Sequence, residues 1–204
     1  QPFRGDGAAE GLRERGRRAL TWPRVRANDR AMSERSGAGG ASIAVVGSLN
    51  YDILIEGARV PRQGETAPAG NWAPKCGGKG GNQAIEAARH GARVSMIGAV
   101  GRDPFGDALL ANLAARAVDA GRVLRVDARS GFTVALIDAD GDYRGVFVPA
   151  ANAALTVADV EGAREVLSGA SVLALQNETP AETNRAAARI TRDGGGRVVW
   201  NAAP

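Results

Sequence analysis

Cysteine is nearly absent from this chain. Cys76 stands alone among 204 residues, so no disulfide can close within it, and the chain reads as cytosolic. Histidine is equally scarce: with His90 as the one imidazole, neither a Cys/His zinc site nor a thiol-protease pair is supported. No apolar run approaches the ~20 residues that span a bilayer, and the leading segment has no apolar stretch of the secretory-signal kind. Lysine is rare too. Of 26 basic residues only Lys75 and Lys79 are lysines, and both lie beside the same cluster of glycines.

The net charge of +4 has a location. Residues 1–41 hold nine Arg against five Asp and Glu, whereas residues 42–204 hold 17 basic against 17 acidic side chains. The body of the chain therefore offers no electrostatic case for nucleic acid, and nothing in it argues for a membrane. Residues 1–41 lack apolar periodicity and end in Ser36-Gly37-Ala38-Gly39-Gly40, which predicts a disordered basic extension. A basic arm for an acidic partner and an Arg-rich transit peptide are two readings of it. The favoured one is translation from an upstream start, because Met32-Ser33-Glu34-Arg35-Ser36 looks like a conventional N-terminus.

What is present is glycine in one place. Cys76-Gly77-Gly78-Lys79-Gly80-Gly81-Asn82-Gln83 runs straight into an Ala-rich helical stretch, Ala84 to His90. Glycine allows close approach of backbone to a ligand, and the helix start offers unpaired N–H groups and a positive dipole end. A loop that merely turns the chain is the alternative. Two nucleotide motifs fail here. No G-x-G-x-x-G follows the first strand candidate, and a P-loop would need glycine at Ala73 and Ser or Thr at Gly80.

Around this run the pattern alternates. Ile43 to Gly47, Arg93 to Val100, Val172 to Gln176 and Arg197 to Trp200 read as strands, the first of them buried on both faces. Asp103-Pro104 opens a helix with Leu109, Leu110, Leu113 and Val118 on one face; Thr156 caps another to about Leu167; Pro180 to Arg192 is a third. Phe132 to Asp138 and Tyr143 to Val148 flank the turn Asp138-Ala139-Asp140-Gly141-Asp142, a hairpin signal without the spacing of a calcium loop. Tyr51 to Glu56 and Thr66 to Lys75 are weaker strands. The alternation predicts a layered α/β domain with a mainly parallel sheet, from which 51–75 and 132–148 project as a small second sheet. Ligands of such folds sit at the carboxyl ends of strands. Asn50, Asp52, Gln176, Asn177, Glu178 and Asn201 all follow strand candidates, which predicts a pocket rich in hydroxyl partners.

These residues carry a resemblance. Val46 to Asp52, Pro61-x-x-Gly-Glu-Thr66, Gly77 to Ala84, Gly98 to Gly106, Ala150 to Thr156, Gln176 to Pro180 and Asn201 to Pro204 together resemble the ribokinase branch of the PfkB carbohydrate kinases, in that family's order over residues 43–204. The resemblance implies a ribokinase-like α/β fold whose small sheet acts as a lid and as a homodimer contact. It implies transfer of the ATP γ-phosphoryl group to the 5-hydroxyl of ribose, with Mg²⁺ and, in some members, a monovalent cation. Asn50, Asp52, Gly78, Lys79, Asn82 and Glu178 take the sugar-binding positions. Gly81 stands where Ala is usual, Ala150 where Gly is, and Ala202 where Pro is, which leaves the exact sugar open. The family's Asn-x-x-Glu and Gly-Ala-Gly-Asp motifs, with the aspartate base and the adenine pocket, would fall beyond Pro204. The chain is thus expected to be a fragment holding the sugar-recognition half, inactive as a kinase alone, with an unpaired sheet edge and poor stability. The alternatives are a non-catalytic sugar-binding or dimerising module, and a kinase for another sugar or a nucleoside.

Overall fold

A computed structural model describes residues 41–57 and 59–203. Strand β1 (Ser42–Val46) occupies the centre of the larger sheet, and the reason is in its side chains: Ala44, Val45 and Val46 are all fully buried. A strand with no polar alternation needs cover on both faces. Its parallel neighbours are β4 (Arg93–Gly101) and β8 (Val172–Gln176), flanked by β5 (Val118–Val126) and β9 (Arg197–Asn201). The order is β5-β4-β1-β8-β9, parallel throughout.

Alternation along β1 divides the core in two. Val45 faces a cluster with Met96 and with residues of helices α1 (Lys79–Arg89) and α2 (Pro104–Ala114), namely Ala84, Leu109 and Leu113. Ala44 and Val46 face the other cluster, where Val160 of α3 (Val157–Gly162), Leu167 of α4 (Arg164–Ser168) and Ile190 of α5 (Ala181–Asp193) close over Leu173 and Leu175. Each fully buried leucine contributes about 1.5–3 kcal/mol relative to exposure.

The two excursions from the alternation do form a second sheet. Strands β2 (Asn50–Glu56), β3 (Asn71–Gly77), β6 (Gly131–Ile137) and β7 (Tyr143–Val148) lie in the order β3-β2-β6-β7. β2 and β6 are parallel, and the outer pairs are antiparallel. A 3-10 turn, Ala150–Ala154, leads from β7 back to the main layer.

Four sequence expectations need correction. The helix expected from Ala84 begins at Lys79, so Gly80 and Gly81 form its first turn and not a loop. Glycine costs about 1 kcal/mol in a helix relative to alanine, and tertiary contact offsets that here: Gly81 N–H donates to the Ser48 carbonyl at 3.0 Å, and a Cβ on Gly80 would lie 2.7 Å from the Ser48 nitrogen. Val118 does not line α2. The chain turns at Ala117, which has φ 56°, and Val118 opens β5, an edge strand whose Arg and Asp residues hid its pattern. The helix expected from Thr156 to Leu167 is two short ones meeting at Ala163, the first held by a capping box between Thr156 and Asp159. The strand expected over Thr66 to Lys75 starts only at Asn71. The reading of residues 1–41 falls, except for Ala41, outside the described residues.

Candidate functional site

Four pieces of chain converge where β1 ends. The turn Gly47-Ser48-Leu49 leads into β2; Gly78 precedes α1; β6 begins beside Asn50; and Glu178 lies two residues past β8. Gly78 adopts φ 84°, and a Cβ there would meet the Ser48 carbonyl oxygen at 2.7 Å, so only glycine fits the start of this helix without strain. Gly78 has no side chain to cap the helix. A carboxylate from elsewhere in the sequence does it instead: Glu178 Oε2 accepts from Lys79 N–H at 3.2 Å. Negative charge at that end is favoured by the helix dipole.

Glu178 is fully partnered. Its Oε2 also accepts from Ser48 Oγ at 2.5 Å, and its Oε1 accepts from Lys79 Nζ at 2.9 Å. Its side chain is only 8% exposed. Burial alone would push its carboxyl up, but the Ser48 hydroxyl and the two Lys79 donors outweigh that and hold it below the usual carboxylate range.

Asp52 is the opposite case. Its Oδ1 is buried and has no hydrogen-bond partner among the described residues. Burial raises its pKa; Thr133 and Lys75 work against that, the Glu178 charge adds to it, and Lys79 subtracts. Asp52 Oδ2 lies 2.1 Å from where a Cβ on Gly77 would stand, which sets it beside the glycine run that Glu178 caps. Two carboxylates thus share a site in unlike states, one saturated with donors and the other short of them.

Asn50 is 3% exposed and opens β2, on the same face of the strand as Asp52. Asn82 is exposed on the first turn of α1, three residues beyond Lys79, and its side chain takes no part in the hydrogen bonds of the cluster. The structure therefore brings Asn50, Asp52, Gly78, Lys79 and Glu178 to one end of the main sheet, with Asn82 a turn along the same helix.

This arrangement of acceptors, donors and glycine backbone suits a molecule that offers several hydroxyl groups. The pfkB family carbohydrate kinases match residues 41–204. The chain belongs to that family. It is 36% identical over 163 residues to the ribokinase of Lactococcus lactis, aligning 79% of this chain with 54% of that protein. The deoxyribokinase of Salmonella typhi is 32% identical over 163 residues, which is 79% of this chain and 53% of the relative. Among solved structures, the Arabidopsis thaliana ribokinase complexed with ribose and ATP superposes with a TM-score of 0.72 at 29% identity, covering 80% of this chain and 54% of that one. The chain spans about half the length of the relatives it matches. The fold is the family's ribokinase-like α/β fold, with a parallel sheet and a smaller mixed one.

Three further residues expected in the pocket stand at the same strand ends but outside the Glu178–Lys79 contacts. Gln176 is fully buried and structural: its Nε2 donates to the Val46 carbonyl at 2.9 Å and to Gln83 Oε1 at 3.2 Å. Asn177 is exposed and accepts from Trp200 Nε1 at 2.9 Å. Asn201 is exposed at the end of β9. Conversely, Ser48 was missed as a partner of Glu178. Its place in the strand-end turn beside Asn50 was the available signal, but the contact joins residues 130 apart.

Proposed function

We propose that these residues form the sugar-acceptor side of an ATP-dependent kinase whose acceptor is the 5-hydroxyl of ribose. The observation that carries the reading is the unpartnered, buried Oδ1 of Asp52 opposite the saturated Glu178. A buried acceptor without a donor costs about 1–3 kcal/mol, and a polyol's hydroxyls would supply what it lacks. In this reading Asp52 accepts from sugar hydroxyls. Lys79, Asn50 and Asn82 donate, the backbone at Gly78 lets the ring approach, and Glu178 closes the pocket while fixing Lys79. Ribose is favoured over other sugars by the relatives named ribokinase, at 36% and 34% identity.

Nucleotide and metal are assigned to no residue described here, and sugar binding is the property to measure on these 204 residues. Calorimetric titration with ribose, 2-deoxyribose, fructose, adenosine and NAD tests the reading. Tightest binding of ribose supports it; preference for 2-deoxyribose moves the substrate toward the deoxyribokinase relatives; binding of NAD alone overturns it.

A second copy of the chain is the proposed partner. One face of the small sheet carries an apolar row, Pro74, Ile53, Val134 and Val146, set side by side by the strand register. Val146 is 71% exposed and Trp72, in the adjoining row, 62%. Exposed apolar side chains set in one row suit an interaction surface. Sedimentation equilibrium should show a dimer that Val146→Glu weakens; a monomer at every concentration contradicts the partner. Among the described residues no helix is long and apolar enough to cross a membrane.

A further inference from the structure

Asn50 sits in the sugar pocket of the reading above, yet an amide side chain can present either a donor or an acceptor there. The choice is made by Asn152, from the 3-10 turn that follows the small sheet. Asn152 is fully buried and makes two bonds with the main chain of Leu49: its Oδ1 accepts from Leu49 N–H at 2.8 Å, and its Nδ2 donates to the Leu49 carbonyl at 3.2 Å. A backbone N–H can only donate and a carbonyl can only accept, so the orientation of the Asn152 amide is fixed with no ambiguity. The same Nδ2 then donates to the Asn50 side chain at 2.8 Å, and the atom that receives it must be Oδ1.

Asn50 has therefore spent its acceptor on Asn152. Its Nδ2 is left without a hydrogen bond among the described residues, on the strand face shared with Asp52. Gly131, the first residue of β6, leaves room for the pair: a Cβ there would lie 2.2 Å from both Asn152 Nδ2 and Asn50 Oδ1.

We propose that Asn152 is a positioning residue for substrate recognition: it locks the Asn50 amide so that only N–H groups face the pocket, beside the acceptor-only carboxylate of Asp52. The site then reads a sugar hydroxyl as an acceptor at Asn50 and as a donor at Asp52. The proposal rests on the sugar-binding reading for its consequence, but the lock itself exists without ligand.

Two measurements test it. In the unliganded, isotope-labelled chain, NMR should detect a scalar coupling across the hydrogen bond from Asn152 Nδ2 to the Asn50 side-chain carbonyl carbon. Its absence in a well-ordered spectrum overturns the lock whether or not any sugar binds. For the consequence, Asn152→Asp keeps shape and the acceptor for Leu49 N–H but removes the donor. Ribose affinity should fall about fivefold to tenfold, the scale of one neutral hydrogen bond, and the gap to wild type at the same pH should narrow on acidification as the introduced carboxyl gains a proton to donate. The penalty should also vanish for the one monodeoxy ribose that lacks the hydroxyl bound by Asn50. An equal loss for ribose and every monodeoxy analogue assigns Asn152 a purely structural role and contradicts the proposal. If the wild-type chain takes up no sugar, the functional reading fails, while the coupling still decides the lock.

Discussion

Glu178 and Lys79 meet twice. One carboxylate oxygen receives the lysine's backbone N–H at 3.2 Å and the other receives its ammonium at 2.9 Å. A single side chain thus caps helix α1, holds its first residue's side chain, and ties β8 to the glycine run. Removing it should act on fold and site together. Glu178→Ala leaves the Ser48 hydroxyl and the half-buried Lys79 without their acceptor, which should destabilise by about 2–4 kcal/mol and lower ribose affinity at least tenfold. Glu178→Gln keeps one acceptor and should retain more of the stability than of the binding. Chemical denaturation and calorimetry on the two variants check the order; equal stability of Glu178→Ala and wild type contradicts it.

Ribose affinity should depend on pH through Asp52. Its carboxyl is pushed above the ordinary value of 3.8, chiefly by burial, while that of Glu178 is held below its ordinary value by Ser48 and Lys79. On acidification Asp52 takes up a proton and stops serving as a charged acceptor for sugar hydroxyls, so affinity falls as its carboxyl is neutralised. Stability moves the other way. A carboxyl whose folded pKa is raised penalises the folded state above that pKa, and the penalty disappears as pH falls through it toward the unfolded value. Titrations across pH 3.5–7 should show the acid limb in wild type and none in Asp52→Asn.

Asp103 has the reverse sign. It caps α2 by accepting from Gly106 N–H at 2.8 Å and holds Ser130, at the start of β6, through both backbone N–H and hydroxyl. Burial pushes its carboxyl up, but those donors and the nearby Arg129 outweigh it and lower the pKa. Its contribution is complete above the unfolded value and is lost as pH falls through the depressed folded one. Asp103→Ala should cost about 1–2 kcal/mol at neutral pH, as for loss of a helix cap, and the difference from wild type should shrink in acid. Urea midpoints at neutral and acid pH measure this.

Two glycines in helices should respond oppositely to alanine. At Gly80 a Cβ would press on the backbone of Gly47 and Ser48 at 2.7 Å, whereas at Gly162 it would meet nothing within 4 Å. Gly80→Ala should destabilise and weaken sugar binding by displacing the strand-end turn. Gly162→Ala should be neutral or stabilise by up to about 1 kcal/mol. Melting curves of both variants decide it.

Much of this was legible in the sequence, and the failures share a cause. Asn50, Asp52 and Glu178 could be placed because a polar residue just after an apolar strand lies at the ligand end of a parallel sheet. The apolar runs of β1, β4 and β8 announced themselves for the same reason. Ser48 and Asn152 could not be assigned work: their partners lie 130 and 103 residues away, and only the folded chain shows the contacts. Gln176 looked like a pocket residue from its strand-end position, but its side chain turned inward to the Val46 carbonyl. β5 was hidden because Val118 continued the helical spacing of α2, although the helix ends at Ala114 and the chain turns at Ala117. The glycines read as a loop because intrinsic propensity disfavours them in a helix, whereas close packing on Ser48 requires them there.

The most direct test is calorimetric titration of ribose into the 204-residue chain and its Asp52→Asn variant at neutral pH. Saturable binding by the wild type, weakened about 10- to 100-fold in the variant as expected for lost hydrogen bonds to a charged acceptor, is the predicted result. Unchanged ribose binding after Asp52→Asn, or no binding of any sugar by a folded wild-type chain, would contradict a sugar site built around Asp52 and Glu178.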